Sequence, residues 1–506
     1  MNAENIESIY ELSPMQQGML FHSLHSPNSG MYVEQLSCTL RGRLNSPALE
    51  RAWLRVVERH AVLRTSFHWK ELDKPLQLVQ RNVTLPFDRQ DWRGVERARQ
   101  RERFDALLAE DRSRGFALSE APLMRLALVR MGEDSFRFLW SHHHLLLDGW
   151  CLSLLLGEVF AFYRAFDQGE ELHLPPARPF KEYIAWLQRQ SLAEAESYWR
   201  RTLKGFASPT LLQTRAKASG DEGDHTEQLR LSRETTDSLM TFARRHRLTL
   251  NTMAQGAWAL LLSRYSGNND VVFGATVSGR PAELPGVESM VGLFINTLPV
   301  RVKLRPADRA LDWLKQLQEQ QARQREYEYS PLGDVQSWSE VPRGTPLFES
   351  IVVFENYPIE SSSPSQSSDL EITEVRSYEK TNYPVTIVIK PGEELLIEIK
   401  YDGSRFDADT IRRTIRHLTT LLESIARTPD GRLWELAMMG ERERQEALAQ
   451  GNQTAADYST NLCLHEMVEQ QARLRPDRVA VSFDGKQMSY GELNERANRL
   501  GRYLMK

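Results

Sequence analysis

The stretch FRFLWSHHHLLLDGWCLSLLLGEVFAFYRAF, residues 136–166, constrains the fold more than any other part of the chain. Its first residues alternate toward and away from an apolar face, as a half-buried strand does. With LMRLALVRMGED just before it, the pattern predicts a hairpin turning at Gly132-Glu133-Asp134. Three histidines and three leucines follow, then Asp148 and Gly149, and from 150 to 166 a near-continuous apolar run predicts a buried helix. A strand that passes through a short loop into a buried helix needs a sheet for that helix to cover. The chain is therefore expected to be a layered α/β protein.

The remaining pattern agrees. Residues 32–44 read as a strand, and 46–67 as a helix with Leu49, Trp53, Val56 and Val57 on one face, Ser46 as N-cap and Pro47 at the first helical position. The Pro-rich segment 169–183 breaks the pattern and marks a first boundary. Beyond it, helices are expected at 191–206, 233–246, 249–265 and 407–428, the last with Ile411, Ile415, Leu418 and Leu422 on one side. Strands are expected at 270–281, in SIVVFENYP and LEITEVRSY, and in a hairpin over 384–403. The Ser/Pro segment 360–369 reads as a mobile loop. The domain reading is an N-terminal lobe at 1–175, a second lobe at 176–449, a polar linker at 450–461 and a new pattern at 462–506.

Composition excludes several classes. The 64 basic and 68 acidic residues leave a net charge of −4, which argues against a nucleic-acid binder. The Arg244–Arg247 run reads as a solvated helix face. Cys38, Cys151 and Cys463 are far apart and imply neither a disulfide framework nor a zinc site. The N-terminus lacks the features of a signal peptide. No apolar run approaches the ~18 residues a membrane span requires. A cytoplasmic protein without membrane contact is expected.

In an extended strand, side chains alternate faces, so His142 and His144 share one face and His143 takes the other. His144 is the last before the leucines and is best placed to overhang a site. Three readings compete: satisfied interface histidines, a metal site using His142, His144 and Asp148, and proton handling by an imidazole whose ordinary pKa is near ~6.5. No further ligand cluster follows, so no metal is expected. Asp148 reads as a buried carboxylate fixed by an arginine, because an unpaired buried charge is costly. Gly149 fits a backbone position that a side chain would obstruct.

HHLLLDG, residues 143–149, resembles the HHxxxDG motif of condensation domains of nonribosomal peptide synthetases, a motif shared with chloramphenicol acetyltransferase and with epimerisation domains. Six further stretches resemble the other condensation motifs in order: LSPMQQGMLFHSL (12–24), RHAVLRTSF (59–67), RPFKEYIAWL (178–187), VGLFINTLPVRV (291–302), YSPLGDVQ (329–336) and GTPLFESIVVFENYP (344–358). Residues 464–504 resemble the opening of an adenylation domain and stop before its nucleotide-binding motifs.

The resemblance implies two chloramphenicol-acetyltransferase-like α/β sandwich lobes set as a V, with the histidines in a central tunnel. It implies an acyltransferase. An upstream peptidyl carrier protein presents an aminoacyl or peptidyl thioester on 4'-phosphopantetheine, and the amine of an aminoacyl group on a downstream carrier attacks it. The domain itself would bind no cofactor. The product would be a peptide such as an antibiotic or siderophore. His144 would accept the amine's proton or orient the amine, and the Gly149 amide would stabilise the oxyanion. His143 and Asp148 would be structural, with Asp148 paired to Arg64 or Arg280. Asn296 would line the tunnel or cap a strand, Trp150 would pack at the tunnel floor, and the leucines would be core. Heterocyclisation domains carry aspartates where His143 and His144 stand here. SPMQQGMLFH and LLLDGW resemble the clade that accepts a D-configured donor. An epimerisation domain and a non-catalytic recruitment domain of the same fold are the alternatives; loss of the second histidine would favour the latter.

Overall fold

The histidine-bearing strand runs through the middle of a five-stranded sheet. The computed structural model describes residues 3–26, 30–212, 223–356, 370–452 and 462–506; the Ser/Pro segment 360–369 and residues 453–461 of the expected linker lie outside them. Strand Ser135–His143 is antiparallel to both neighbours, Val33–Gly42 and Met124–Gly132, and Phe87–Asp91 joins the far side in parallel. Helices Ser46–Arg59 and Gly149–Asp167 pack against each other over this sheet. Trp53 is inserted between Phe138 and Trp140. The N-cap of the first helix is Asn45, whose side chain accepts from the Ala48 amide, rather than Ser46. Asn45 wins because the helical turn starts at Ser46, which puts the capping oxygen one residue earlier.

Helix Gly149–Asp167 is 19 residues long and apolar enough to match a bilayer span by length and composition, longer than any run anticipated from the sequence. Here it is a core helix, with Cys151, Leu155, Val159, Phe162 and Tyr163 turned inward.

The second half builds a six-stranded sheet in the order 296–303, 270–277, 350–354, 385–390, 396–402, 224–230. The central strand Ser350–Phe354 is parallel to both neighbours. Helix Leu250–Ser266 is buried nearly all round, and its Ala257, Trp258 and Leu261 share one core with Ile415, Leu418 and Leu422 of Ala408–Arg427. A boundary at 175/176 does not capture one feature. Strand Leu370–Tyr378 leaves the second half and pairs with Val33–Gly42, becoming the edge of the first sheet. A polar register anchors it: Glu374 accepts from Thr39 at 3.0 Å and meets Arg137 at 2.6 Å.

Residues 1–439 form one compact unit and 440–506 another, so helix Glu441–Gly451 groups with the tail rather than with the second lobe. In the tail, a two-stranded ribbon (Val479–Phe483, Lys486–Ser489) lies between helices Leu464–Leu474 and Tyr490–Leu504. Leu464, Phe483, Leu500 and Tyr503 are exposed, so this small unit leaves much apolar surface open.

Candidate functional site

Residues 143–147 make a tight turn between strand and helix: Leu146 N donates to His143 O, and Leu147 N to His144 O. Leu145, Leu146 and Leu147 are completely buried and act as the turn's anchor. Two elements hold the turn from outside. Helix Pro14–His25 opens with a reciprocal Ser13/Gln16 capping box, and Gln16 Nε2 donates to Leu145 O at 3.0 Å. From the second half, Gly292 O accepts from Asp148 N and from the Cys151 thiol.

Asp148 is the N-cap of the long helix and 1% exposed. Arg280 Nη2 approaches its two carboxylate oxygens at 3.1 and 3.4 Å, and Phe294 N donates to Oδ2 at 3.0 Å. Arg280 also donates to Val287 O and Met290 O and lies 4.0 Å over the Phe294 ring. Arg64 is committed elsewhere: it donates to Val57 O, the Gln80 carbonyl and Glu7, clamping the three-stranded sheet of 6–11, 76–80 and 65–68. The approach of the 291–299 segment to the motif needs glycine at two points. A Cβ on Gly279, which has φ +59°, would overlap the Phe294 carbonyl, and one on Gly292 would enter the Phe180 ring.

Asn296 is 5% exposed, and both its amide donors are used on the carbonyls of Glu328 and Ser330, each at 2.8 Å. It pins the first residue of its strand to that turn. Trp150 is 39% exposed, and its indole N–H donates to Glu288 O at 2.9 Å. It sits on the solvent side of the first helical turn, while Cys151 and Leu155 take the core side. Gly149 is the first helical residue, where the amide precedes the intrahelical ladder.

The histidines split as strand alternation requires. His143 Nδ1 accepts from Leu145 N at 3.2 Å, so its proton is on Nε2, 3.5 Å from Ser23 Oγ. Burial and the neighbouring His144 and His142 lower its pKa to about 3, and it stays neutral. His142 and His144 face the other way, toward Glu34 on the adjacent strand. Glu34 is the cross-strand partner of His142 and contacts both rings: Oε2 is 2.8 Å from His142 Nε2, off line for a hydrogen bond, and Oε1 is 3.2 Å from His144 Nε2. His144 Nδ1 is 2.6 Å from Leu147 O, which accepts only, so Nδ1 carries a proton.

Glu379, just past the crossover strand, lies 3.9 Å from His144 Nε2 and accepts from Lys400 Nζ at 2.9 Å. The Lys400 ammonium lowers its carboxyl to about 2. Burial alone would lower the His144 pKa; Glu34, then Glu379, the Leu147 carbonyl and Asp148 outweigh it and raise it. Among the described residues, the donor atoms of Glu34, His144 and Glu379 lie within 4.8 Å of one another, and Asp148 does not join them. With Lys400 on Glu379, this cluster is an ion-pair network.

Sequence reasoning missed Gln16, Glu34, Glu379 and Lys400. Glu34 left a trace, as the one acidic residue in the strand VEQLSCTLRG. Glu379 left none, because only the strand crossover brings it here.

A condensation-domain family model matches residues 6–448. The chain is 46% identical to a linear gramicidin synthase protein of Brevibacillus parabrevis over 99% of its length, and 35% identical to bacitracin synthase 1 of Bacillus licheniformis over 99%. It spans only 6% and 10% of those two proteins. It is similar in fold to a four-domain nonribosomal peptide synthetase bound to AMP and glycine (TM-score 0.75, 20% identity, 99% of this chain and 39% of that one). It is also similar to the X-domain from teicoplanin biosynthesis (TM-score 0.72, 22% identity, 85% and 97%). With an α/β fold, a histidine turn clamped from both halves and a family match over most of its length, the chain belongs to the condensation domains of nonribosomal peptide synthetases, acyltransferases that form amide bonds between carrier-bound substrates.

Proposed function

We propose that this domain transfers an aminoacyl or peptidyl group from an upstream carrier to the amine of an aminoacyl group on a downstream carrier, and that the donor residue is D-configured. The observation that carries this reading is His144: a buried imidazole whose Nδ1 is fixed by Leu147 O and whose Nε2 edge meets a carboxylate. The neutral amine attacks the thioester carbonyl, the C–N bond forms, the C–S bond breaks, and the amine's proton ends on the pantetheine sulfur. A positioned imidazole lowers the barrier to that transfer. Holding both arms end to end makes the attack effectively intramolecular. The Gly149 amide, ahead of the helical ladder, is the oxyanion donor in this scheme.

The two halves act as lobes of a V around a tunnel, with both carriers' phosphopantetheine arms as visitors and no resident cofactor. Residues 462–506 are the opening of an adenylation domain, supported by the apolar side chains that this unit leaves exposed. The protein works in the cytoplasm.

The test loads an upstream carrier with L- or D-ended donor peptide and a downstream carrier with an amino acid, then follows peptide on the downstream carrier. Peptide formation with D-donors, and a loss of roughly 10²-fold or more in His144→Ala, is the expected result. Undiminished activity in the variant refutes the role of His144. Carrier binding without product from any donor replaces catalysis with recruitment.

A further inference from the structure

His144 has one nitrogen committed and one in question. Nδ1 lies 2.6 Å from a carbonyl oxygen, which cannot donate, so the ring proton of a neutral His144 would have to sit there. That would leave the Nε2 lone pair facing Glu34 Oε1 at 3.2 Å, with no proton between two acceptors. The conflict is relieved when Nε2 also carries a proton, which puts a cation beside the carboxylate in place of two facing lone pairs.

The carboxylates that face the ring come from three neighbouring elements. The strand Val33–Gly42 supplies Glu34. The segment after the crossover strand supplies Glu379, whose other oxygen is held by Lys400 with Lys390 behind it. The motif itself supplies Asp148, already neutralised by Arg280. On the strand that leads into the turn, His143 is held neutral and faces away, and His142 shares the same Glu34 carboxylate.

We propose that Glu34 is a positioning residue of the reaction: its carboxylate, set between His142 and His144, holds a proton on His144 Nε2, so that His144 enters the reaction as a proton donor rather than as a free base. This rests on the condensation reading above. As the amine nitrogen bonds to the carbonyl carbon and the C–S bond breaks, Nε2 gives its proton to the departing sulfur. The amine's proton passes to the vacated Nε2, and the His144–Glu34 pair ends as it began.

The experiment measures single-turnover peptide formation between loaded carriers against pH, for wild type, Glu34→Gln and Glu34→Asp. The acid limb belongs to the acceptor amine, which must be neutral to attack. The alkaline limb belongs to the His144 proton. Glu34→Gln is expected to slow transfer about 10-fold or more at pH 8 and to move the alkaline limb down by about one pH unit or more, the size of effect a nearby opposite charge exerts. Glu34→Asp keeps the charge and should restore at least half of that movement. A uniform drop with both limbs in place would make Glu34 merely structural, and movement of the acid limb would make His144 a base; either overturns the proposal. Should Glu34→Gln fail to fold, wild-type protein labelled with ¹⁵N-histidine decides: the His144 signal, assigned by its loss in His144→Gln, should show both ring nitrogens protonated at pH 7, and protonation at Nδ1 alone refutes it. Absence of peptide from wild type would count against the condensation reading, while the histidine spectrum still tests Glu34.

Discussion

Replacing Arg280 by alanine should damage this domain more than any other single change near the motif. Asp148 is 1% exposed, and Arg280 Nη2 is its cationic partner at 3.1 Å. The Phe294 and Cys151 amides would remain as donors, but no charge would oppose the carboxylate. Breaking a buried pair by removing one partner costs about 3–5 kcal/mol, because the survivor stays buried and uncompensated. Arg280 also ties Val287 O and Met290 O to the motif, which puts the expected loss at the upper end of that range. The cause can be isolated with Asp148→Asn, Arg280→Gln and the double variant, each unfolded in urea with near-ultraviolet circular dichroism as the readout. If the uncompensated carboxylate is the cause, the double variant recovers about 1–3 kcal/mol relative to the sum of the singles. A double variant as unstable as that sum would refute the reasoning and leave the lost carbonyl contacts as the whole effect.

Gly292→Ala places a methyl against the Phe180 ring, itself 2% exposed and packed edge-on to Phe294, so it should destabilise by about 1–3 kcal/mol; a melting temperature equal to wild type would show that the ring can withdraw. Glu379 is held at a pKa of about 2, below its ordinary 4.5, by Lys400. A depressed carboxylate stabilises the fold fully above the unfolded value and loses that contribution as pH falls through the folded one. The stability gap between wild type and Glu379→Gln should therefore be constant above about pH 5 and close toward pH 2, as read by urea midpoints across that range; a gap independent of pH would exclude the ion pair as its source. Gln16→Leu removes the donor to Leu145 O without adding charge, and should slow peptide transfer with little change in carrier affinity; a pure affinity loss would place Gln16 in docking instead.

Local pattern carried most of the secondary structure. Period-two and period-3.6 hydrophobicity fixed the hairpin 124–143, the helix after Asp148 and the long helix 408–427, because each buries one face on a neighbouring layer. Alternation along the strand also separated His143 from His142 and His144, since a pleated strand gives a side chain no other choice. The family resemblance found the turn and its aspartate.

Pattern left open which arginine meets Asp148, and the tertiary fold decided it. Arg280 arrives beside Phe294 from the second half, whereas Arg64 faces Glu7 across another sheet. The partners of Asn296 and Trp150 were likewise visible only in the fold, the carbonyls of Glu328 and Ser330 for one and that of Glu288 for the other. The sequence by itself determined that an imidazole would stand at the end of a buried strand, on one known face. Its charge environment was decided only in three dimensions. Glu34 lies 110 residues before His144 and is set beside it by the pairing of its strand with Ser135–His143, while Glu379 lies 235 residues after it and arrives only through the strand that crosses between the halves.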